Sequence, residues 1–209
     1  MKTVYLLDFD NTLSDNDAAE RHLDAFLKRS LGGRAKEYWK LYEAIRVERG
    51  YADYLGALER FRERHPGEMN VLDVSRFWLE YPFADRIYPG AREMLRRLER
   101  RGKTVVVSDG DVVFQPHKIR RSGVSDLVEN RVLVYIHKEK ELKDIERRFP
   151  ADHYVAVDDK LRILAAMKRV WKDRVTTVFV EQGKYAKDPG LRGDHPPADI
   201  HLKHIGDLR

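Results

Sequence analysis

The chain has no cysteine among its 209 residues. That excludes a disulfide framework and any thiolate metal site. It also has no apolar run long enough to span a bilayer, no internal repeat and no low-complexity tract. Met1-Lys2-Thr3-Val4 leads straight into a strand pattern without a secretory leader, so the expected location is the cytoplasm. One-sided charge is missing too. The 40 Lys and Arg are interleaved with 35 Asp and Glu, often as Arg-Glu mixtures on helices, for a net charge of +5. Such interleaving describes a solvated, salt-bridged surface rather than a nucleic-acid-binding stripe. The mild positive balance favours anionic small molecules over nucleic acid or a membrane as the primary partner. A hydrophobic content of 42% supplies a core, and the length fits one domain, or one with an inserted subdomain. The oligomeric state is left open.

What is present is organised around Thr3-Val4-Tyr5-Leu6-Leu7-Asp8-Phe9-Asp10-Asn11-Thr12-Leu13. A short apolar run without alternation reads as a strand buried on both faces of a parallel sheet. Its carboxyl end is where open α/β sheets place ligands. Asp8 and Asp10, two apart on extended backbone, would point the same way and repel unless a cation or shared proton intervenes. Alone, such a pair reads as ordinary solvated acids; the rest of the chain decides.

From residue 14 to 84 the apolar residues recur at helical spacing. Ala18, Ala19, Leu23, Phe26, Leu27 and Leu31 run to Gly32-Gly33, and Tyr38, Trp39, Tyr42 and Ile45 run to Gly50. Tyr54, Leu55, Leu58 and Phe61 run to Pro66-Gly67; Val71, Val74, Phe77 and Trp78 follow Asn70, which with Asp73 looks like a helix cap. Residues 14–84 are therefore expected to be a separate all-helical unit whose aromatics pack its core. Residues 1–13 and 85–209 alternate strand and helix, with strands expected at Thr104–Val107, Val132–Ile136, Tyr154–Val157 and Val175–Val180. Residues 183–197 read as a loop, and Ile200–Leu202 as a possible edge strand. This rhythm predicts an α/β fold with a doubly wound, Rossmann-like parallel sheet.

The strand ends carry the chemistry. They bring Asp8 and Asp10, then Ser108, then Lys138, then Asp158-Asp159 to one edge of the sheet. Four clustered carboxylates call for a cation, and hard oxygen donors without Cys or paired His favour Mg²⁺. A lysine and a hydroxyl beside such a cluster form a receptor for a tetrahedral dianion.

Four motifs in this order resemble the haloacid dehalogenase (HAD) superfamily. Asp8-Phe9-Asp10-Asn11-Thr12-Leu13 is similar to its first motif, DxDxT, Ser108 to its second, Lys138 to its third and Asp158-Asp159 to its fourth. The helical insertion resembles the family's C1-type cap. The resemblance implies a HAD-like core with that cap, and a Mg²⁺-dependent phosphatase acting on a small phosphorylated metabolite. Asp8 would be the nucleophile that forms an aspartyl-phosphate. Asp10 would be the acid and base, with its backbone carbonyl on the metal. Ser108, with the backbone N–H groups near Asp109 and Gly110, would grip the phosphoryl oxygens, and Lys138 would offset charge. Asp8, Asp10, Asp158 and Asp159 are the implied metal-binding residues. Either acid of the last pair could be the direct ligand; alignment on the glycine-aspartate form of the motif favours Asp159. Lys140 is the alternative to Lys138.

An acid at position 10 argues for phosphate transfer, since dehalogenases of this group generally lack one. A phosphomutase using the same intermediate, or a catalytically silent HAD-fold binding protein, is the alternative. Outside the motifs, Gln115 and Lys118 read as residues that begin and stabilise a helix. His137, His201 and His204 read as packing or surface histidines. Asp109 and Asp111 read as loop acids near the rim, and Lys36, Lys40, Arg46 and Arg49 as a mostly solvated helix face.

Overall fold

In the computed structural model, residues 2–209 are described. Six strands form one sheet: β1 (Thr3–Leu7), β2 (Lys103–Asp109), β3 (Val132–Tyr135), β4 (His153–Asp158), β5 (Val175–Val180) and β6 (Ile200–Leu202). Their spatial order is β3-β2-β1-β4-β5-β6, and every neighbouring pair is parallel. The chain lays strands outward from β1 on one side and then returns to build the other. β1 therefore lies at the switch point, where a crevice opens beyond the strand ends. The sheet has the doubly wound parallel α/β architecture expected from the strand-helix rhythm of the sequence.

Alternate residues of each central strand enter opposite layers, as period-two geometry requires. Leu7, Val106, Val157 and Val178 pack with Met94, Leu95 and Leu98 of α5 (Ala91–Glu99), Ile119 of α6 (Phe114–Arg121) and Val124 of α7 (Val124–Leu127). Leu6, Val105, Val107, Ala156 and Phe179 pack with Ile145 of α8 (Leu142–Arg148) and with Ile163, Leu164 and Met167 of α9 (Leu161–Trp171). Both faces being covered explains why the strands read as continuous apolar runs.

Between β1 and α5 lie four helices: α1 (Asn16–Leu31), α2 (Ala35–Arg49), α3 (Tyr54–Arg64) and α4 (Val71–Glu80). Asp15 and Asp53 start α1 and α3 by accepting from the backbone N–H of Ala18 (2.8 Å) and Gly56 (2.7 Å). Asn70 precedes α4 but provides no such cap. Its Nδ2 instead donates to the Ser30 carbonyl at 2.8 Å, which ties α4 to the end of α1. These helices bury their own core of Leu23, Leu27, Tyr38, Ile45, Phe61 and Trp78. Phe114, the first residue of α6, joins that core, with its ring 5.2 Å from Trp78 and 6.1 Å from Tyr54. A helix of the sheet layer thus reaches into the helical unit.

The stretch 183–197 is not plain loop. It forms two short helices, α10 (Gly183–Lys187) and α11 (Pro189–Arg192). Gly183 has φ +70°, and a Cβ there would collide with the side chain of Asn11, so only glycine lets the segment lie against the turn after β1. Among the described residues no helix is long and apolar enough to cross a membrane.

Candidate active site

Strand pairing continues one residue past β1, where the Asp8 N–H donates to the Val157 carbonyl at 3.0 Å. This fixes Asp8 between the ends of β2 and β4, with its side chain buried. The carboxylate accepts from Lys138 Nζ at 2.5 Å and from Thr12 Oγ1 at 3.1 Å. Lys138 also reaches Asp158 Oδ2 (2.8 Å) and the Val107 carbonyl (3.1 Å). Burial pushes the Lys138 ammonium toward neutrality. Asp158 and Asp8 outweigh it and hold the group well above its ordinary pKa. The backbone N–H of Lys138 donates to Asp109 Oδ1 at 2.8 Å, which turns the chain so that this lysine enters the cluster. Lys140 is exposed and takes no part.

The two acids after β4 have different surroundings. Asp158 is engaged by Lys138 and accepts from the backbone N–H of Lys160 at 2.9 Å. Asp159 is fully buried, and neither of its oxygens has a hydrogen-bond partner. Oxygens of Asp8, Asp158 and Asp159 lie within 4.8 Å of one another. Burial raises the pKa of both Asp158 and Asp159, against the pull of Lys138 and Lys160 respectively. An orphaned buried carboxylate destabilises the fold unless it is neutralised or coordinated. Three convergent carboxylates with no nitrogen or sulfur donor fit a hard divalent cation of the Mg²⁺ type.

Asp10 departs from the expected arrangement. Its carboxylate is not in the three-acid cluster; it accepts from Lys118 Nζ at 2.7 and 2.9 Å and from Gln115 Nε2 at 3.0 Å. The strand ends at Leu7, so the period-two alternation that would align Asp8 with Asp10 does not extend to them.

Lys118 and Gln115 were not recognisable as site residues from the motifs. Lys118 is buried on the inner face of α6, and its ammonium also donates to Asn16 Oδ1 at 2.9 Å. Gln115 Nε2 donates to Ser108 Oγ at 2.9 Å as well as to Asp10, linking two motif residues. A usable signal exists in retrospect: positions 115 and 118 share the buried stripe of α6 with Phe114 and Ile119. Two long polar side chains on an apolar helix face need buried partners.

Ser108 is buried at the end of β2, and Asp109 follows it. The Gly110 N–H is already committed to the Tyr135 carbonyl at 2.9 Å, so it is not a free donor for a phosphoryl oxygen as expected. Glycine is needed here for another reason. A Cβ would lie 2.9 Å from Gln115 Cβ and Cγ and would displace that side chain. Asp111 accepts from the N–H groups of Val113 (2.9 Å) and Phe114 (2.6 Å), which starts α6 in the register that aims Gln115 and Lys118 inward.

A cavity of about 290 Å³ opens beside this cluster, between the helical unit and the sheet edge. Asp10, Asp109 and Lys160 form one side of it, Tyr42 and Arg46 of α2 another, and Tyr185 and Arg192 of the 183–192 segment a third. Arg46 donates to the Tyr185 hydroxyl, so α2 and α10 meet across the cavity.

The sequence profile of the haloacid dehalogenase-like hydrolase family matches residues 2–170. A Burkholderia xenovorans LB400 protein described as a haloacid dehalogenase-like hydrolase is 55% identical, with a TM-score of 0.93 over 99% of this chain and 96% of that one. The L-2-haloacid dehalogenase of Xanthobacter autotrophicus, with chloropropionic acid covalently bound, shares the fold at 16% identity (TM-score 0.65, 99% and 96% of the two chains). So does the HAD-hydrolase YfnB of Bacillus subtilis bound to magnesium, at 13% identity (TM-score 0.61, 98% and 95%). No curated protein matches the sequence. With the profile spanning most of the chain and a relative more than half identical over nearly all of it, this protein belongs to the haloacid dehalogenase-like hydrolases.

Proposed function

We propose that this hydrolase is a Mg²⁺-dependent phosphatase that cleaves a small phosphomonoester through an aspartyl-phosphate on Asp8. The observation that carries the reading is Asp10, an acid two residues after Asp8 whose carboxylate is held by Lys118 and Gln115. Expelling an alkoxide from phosphorus needs a proton donor, whereas expelling halide does not.

Asp8 attacks phosphorus as the ester P–O bond breaks, and Asp10 delivers a proton to the departing oxygen. Asp10 then takes a proton from water as that water attacks phosphorus, breaking the bond to Asp8 and releasing phosphate. Lys138 balances negative charge on the Asp8 side throughout, and the Ser108 hydroxyl, which accepts from Gln115, would turn its proton toward a phosphoryl oxygen. Asp8, Asp158 and Asp159 would hold the Mg²⁺, which supplies charge neutralisation that lets a carboxylate approach a dianion. Of the three, Asp159 has the most to gain, because both its oxygens are otherwise unpaired.

The direct test is inorganic phosphate release from a panel of small phosphomonoesters, run beside halide release from 2-chloropropionate. Phosphate release that requires Mg²⁺ and vanishes in Asp8→Asn supports the reading. Halide release without phosphate release refutes it, and an isomerised product without free phosphate identifies a mutase.

A further inference from the structure

The charges lining the cavity do not cancel in pairs. Each acid there is already matched. Asp10 is held by Lys118, Glu20 accepts from Lys184 Nζ (2.5 Å) and Tyr54 Oη (2.7 Å), and Asp109 accepts from the Lys138 N–H. On the basic side, Arg162 is paired with Glu139, and Lys160 answers the field of Asp159. Arg192 has no ion pair with any described carboxylate. Arg46 has only Glu43, at 3.4 Å on the exposed side of α2, besides the Tyr185 hydroxyl. Two guanidinium groups with unused donors therefore line a concave space that borders the reaction centre. The segment that carries Arg192 is tied to α1 near its start and capped locally where α11 begins. The Lys184 N–H donates to Asp17 Oδ2 at 2.6 Å, and Asp188 accepts from the Gly190 N–H at 2.8 Å.

We propose that the substrate's leaving group ends in a second anion, a carboxylate or a second phosphate, held across the cavity by Arg192 together with Arg46. This rests on the phosphatase reading and specifies its substrate class. A guanidinium fork suits either anion because both present paired oxygens to two parallel N–H donors. The volume of about 290 Å³ lies at the small end of ligand sites, so the carbon chain between the two anions is short. Arg46 belongs to the helical unit and Arg192 to the sheet domain, so the second anion would bridge the two. The Arg46–Tyr185 contact already places α2 at the edge of that bridge.

The test compares three esters with one carbon skeleton: propyl phosphate, 3-phosphonooxypropanoate and propane-1,3-diol bisphosphate. Charge-assisted hydrogen bonds of the usual strength predict that at least one doubly anionic ester exceeds propyl phosphate in kcat/KM by about ten- to a hundredfold. Which one wins tells a carboxylate from a phosphate. In Arg192→Gln that ratio collapses toward unity, and Arg192→Lys restores part of it. A ratio near one in the wild type, or a ratio unchanged in Arg192→Gln, overturns the proposal. Calorimetric binding of the same esters to Asp8→Asn protein separates the two levels of inference. If no ester is turned over but the doubly anionic one still binds tenfold more tightly, the anion site stands and the phosphatase reading falls. Equal binding of all three removes the anion site.

Discussion

Asp159→Asn should make the metal-free protein more stable while abolishing its response to Mg²⁺. The oxygens of Asp8, Asp158 and Asp159 lie within 4.8 Å of one another, and at an effective dielectric of about 20 each pair of charges repels by ~3.5 kcal/mol or more. Lys138 and Lys160 offset most of this, leaving a net penalty for the third carboxylate on the order of 1–2 kcal/mol. The asparagine is isosteric and removes that penalty without opening a cavity. For a chain of this size 1 kcal/mol moves Tm by roughly 2–4 °C, so EDTA-treated Asp159→Asn should melt a few degrees above wild type. Mg²⁺ at about a hundred times its Kd should add ~2.7 kcal/mol to the wild type, about 5–10 °C, and almost nothing to the variant. Thermal denaturation with EDTA and across a Mg²⁺ titration reads all four states. If Asp159→Asn lowers the metal-free Tm, or keeps the full Mg²⁺ response, then Asp159 is not the orphaned ligand described.

Lys118→Met removes two of the three hydrogen bonds to Asp10 and strands Asn16 Oδ1, costing about 1–3 kcal/mol of stability. Its kcat should fall about ten- to a hundredfold on alkyl phosphates and far less on p-nitrophenyl phosphate, whose leaving group needs no proton; equal losses would mean that Lys118 is only structural. Burial raises the pKa of Asp158 and Asp159 in the folded state, so the fold binds more protons than the unfolded chain above the ordinary carboxylate range near 4. Stability of the metal-free protein should therefore fall as pH rises from about 5 to 8, and that slope, read from Tm against pH, should be shallower in Asp159→Asn. Trp78 is fully buried and in ring contact with Tyr54, Phe83 and Phe114; Trp78→Ala should cost about 3–5 kcal/mol in denaturant unfolding.

The sheet was legible because each central strand is buried on both faces. Apolar runs such as Val105–Val107 and Val175–Val180 leave little else to form, and their chain order places their ends on one edge. Asp8, Lys138, Asp158 and Asp159 meet there because they stand at the ends of three strands, β1, its neighbour β4 and its next neighbour but one, β3. Asp10 was harder, since it lies beyond the end of β1, where strand periodicity no longer sets the side-chain direction, and its partners Lys118 and Gln115 come from α6. Gln115 and Lys118 were read as helix-starting residues because helical spacing tells which face a residue occupies, not what that face meets. Their partners lie over a hundred residues earlier in Asp10 and, for Lys118, Asn16. Residues 183–192 look like loop by composition, yet they fold against Asn11 and Asp17 and carry Tyr185 and Arg192 to the cavity. Local propensity is weak there, and docking decides the structure.

The most direct test of the chemistry is to acid-quench Asp10→Asn protein during turnover of p-nitrophenyl phosphate with Mg²⁺ and map the covalently bound phosphoryl group by peptide mass spectrometry. This ester leaves without a proton, whereas hydrolysis of the intermediate still lacks its base, so the intermediate should accumulate. The account predicts a phosphoryl group on the peptide containing Asp8, labile to hydroxylamine and absent when Asp8→Asn is added. Phosphorylation at another residue, or continued turnover with no covalent phosphoryl at any quench time, would contradict it.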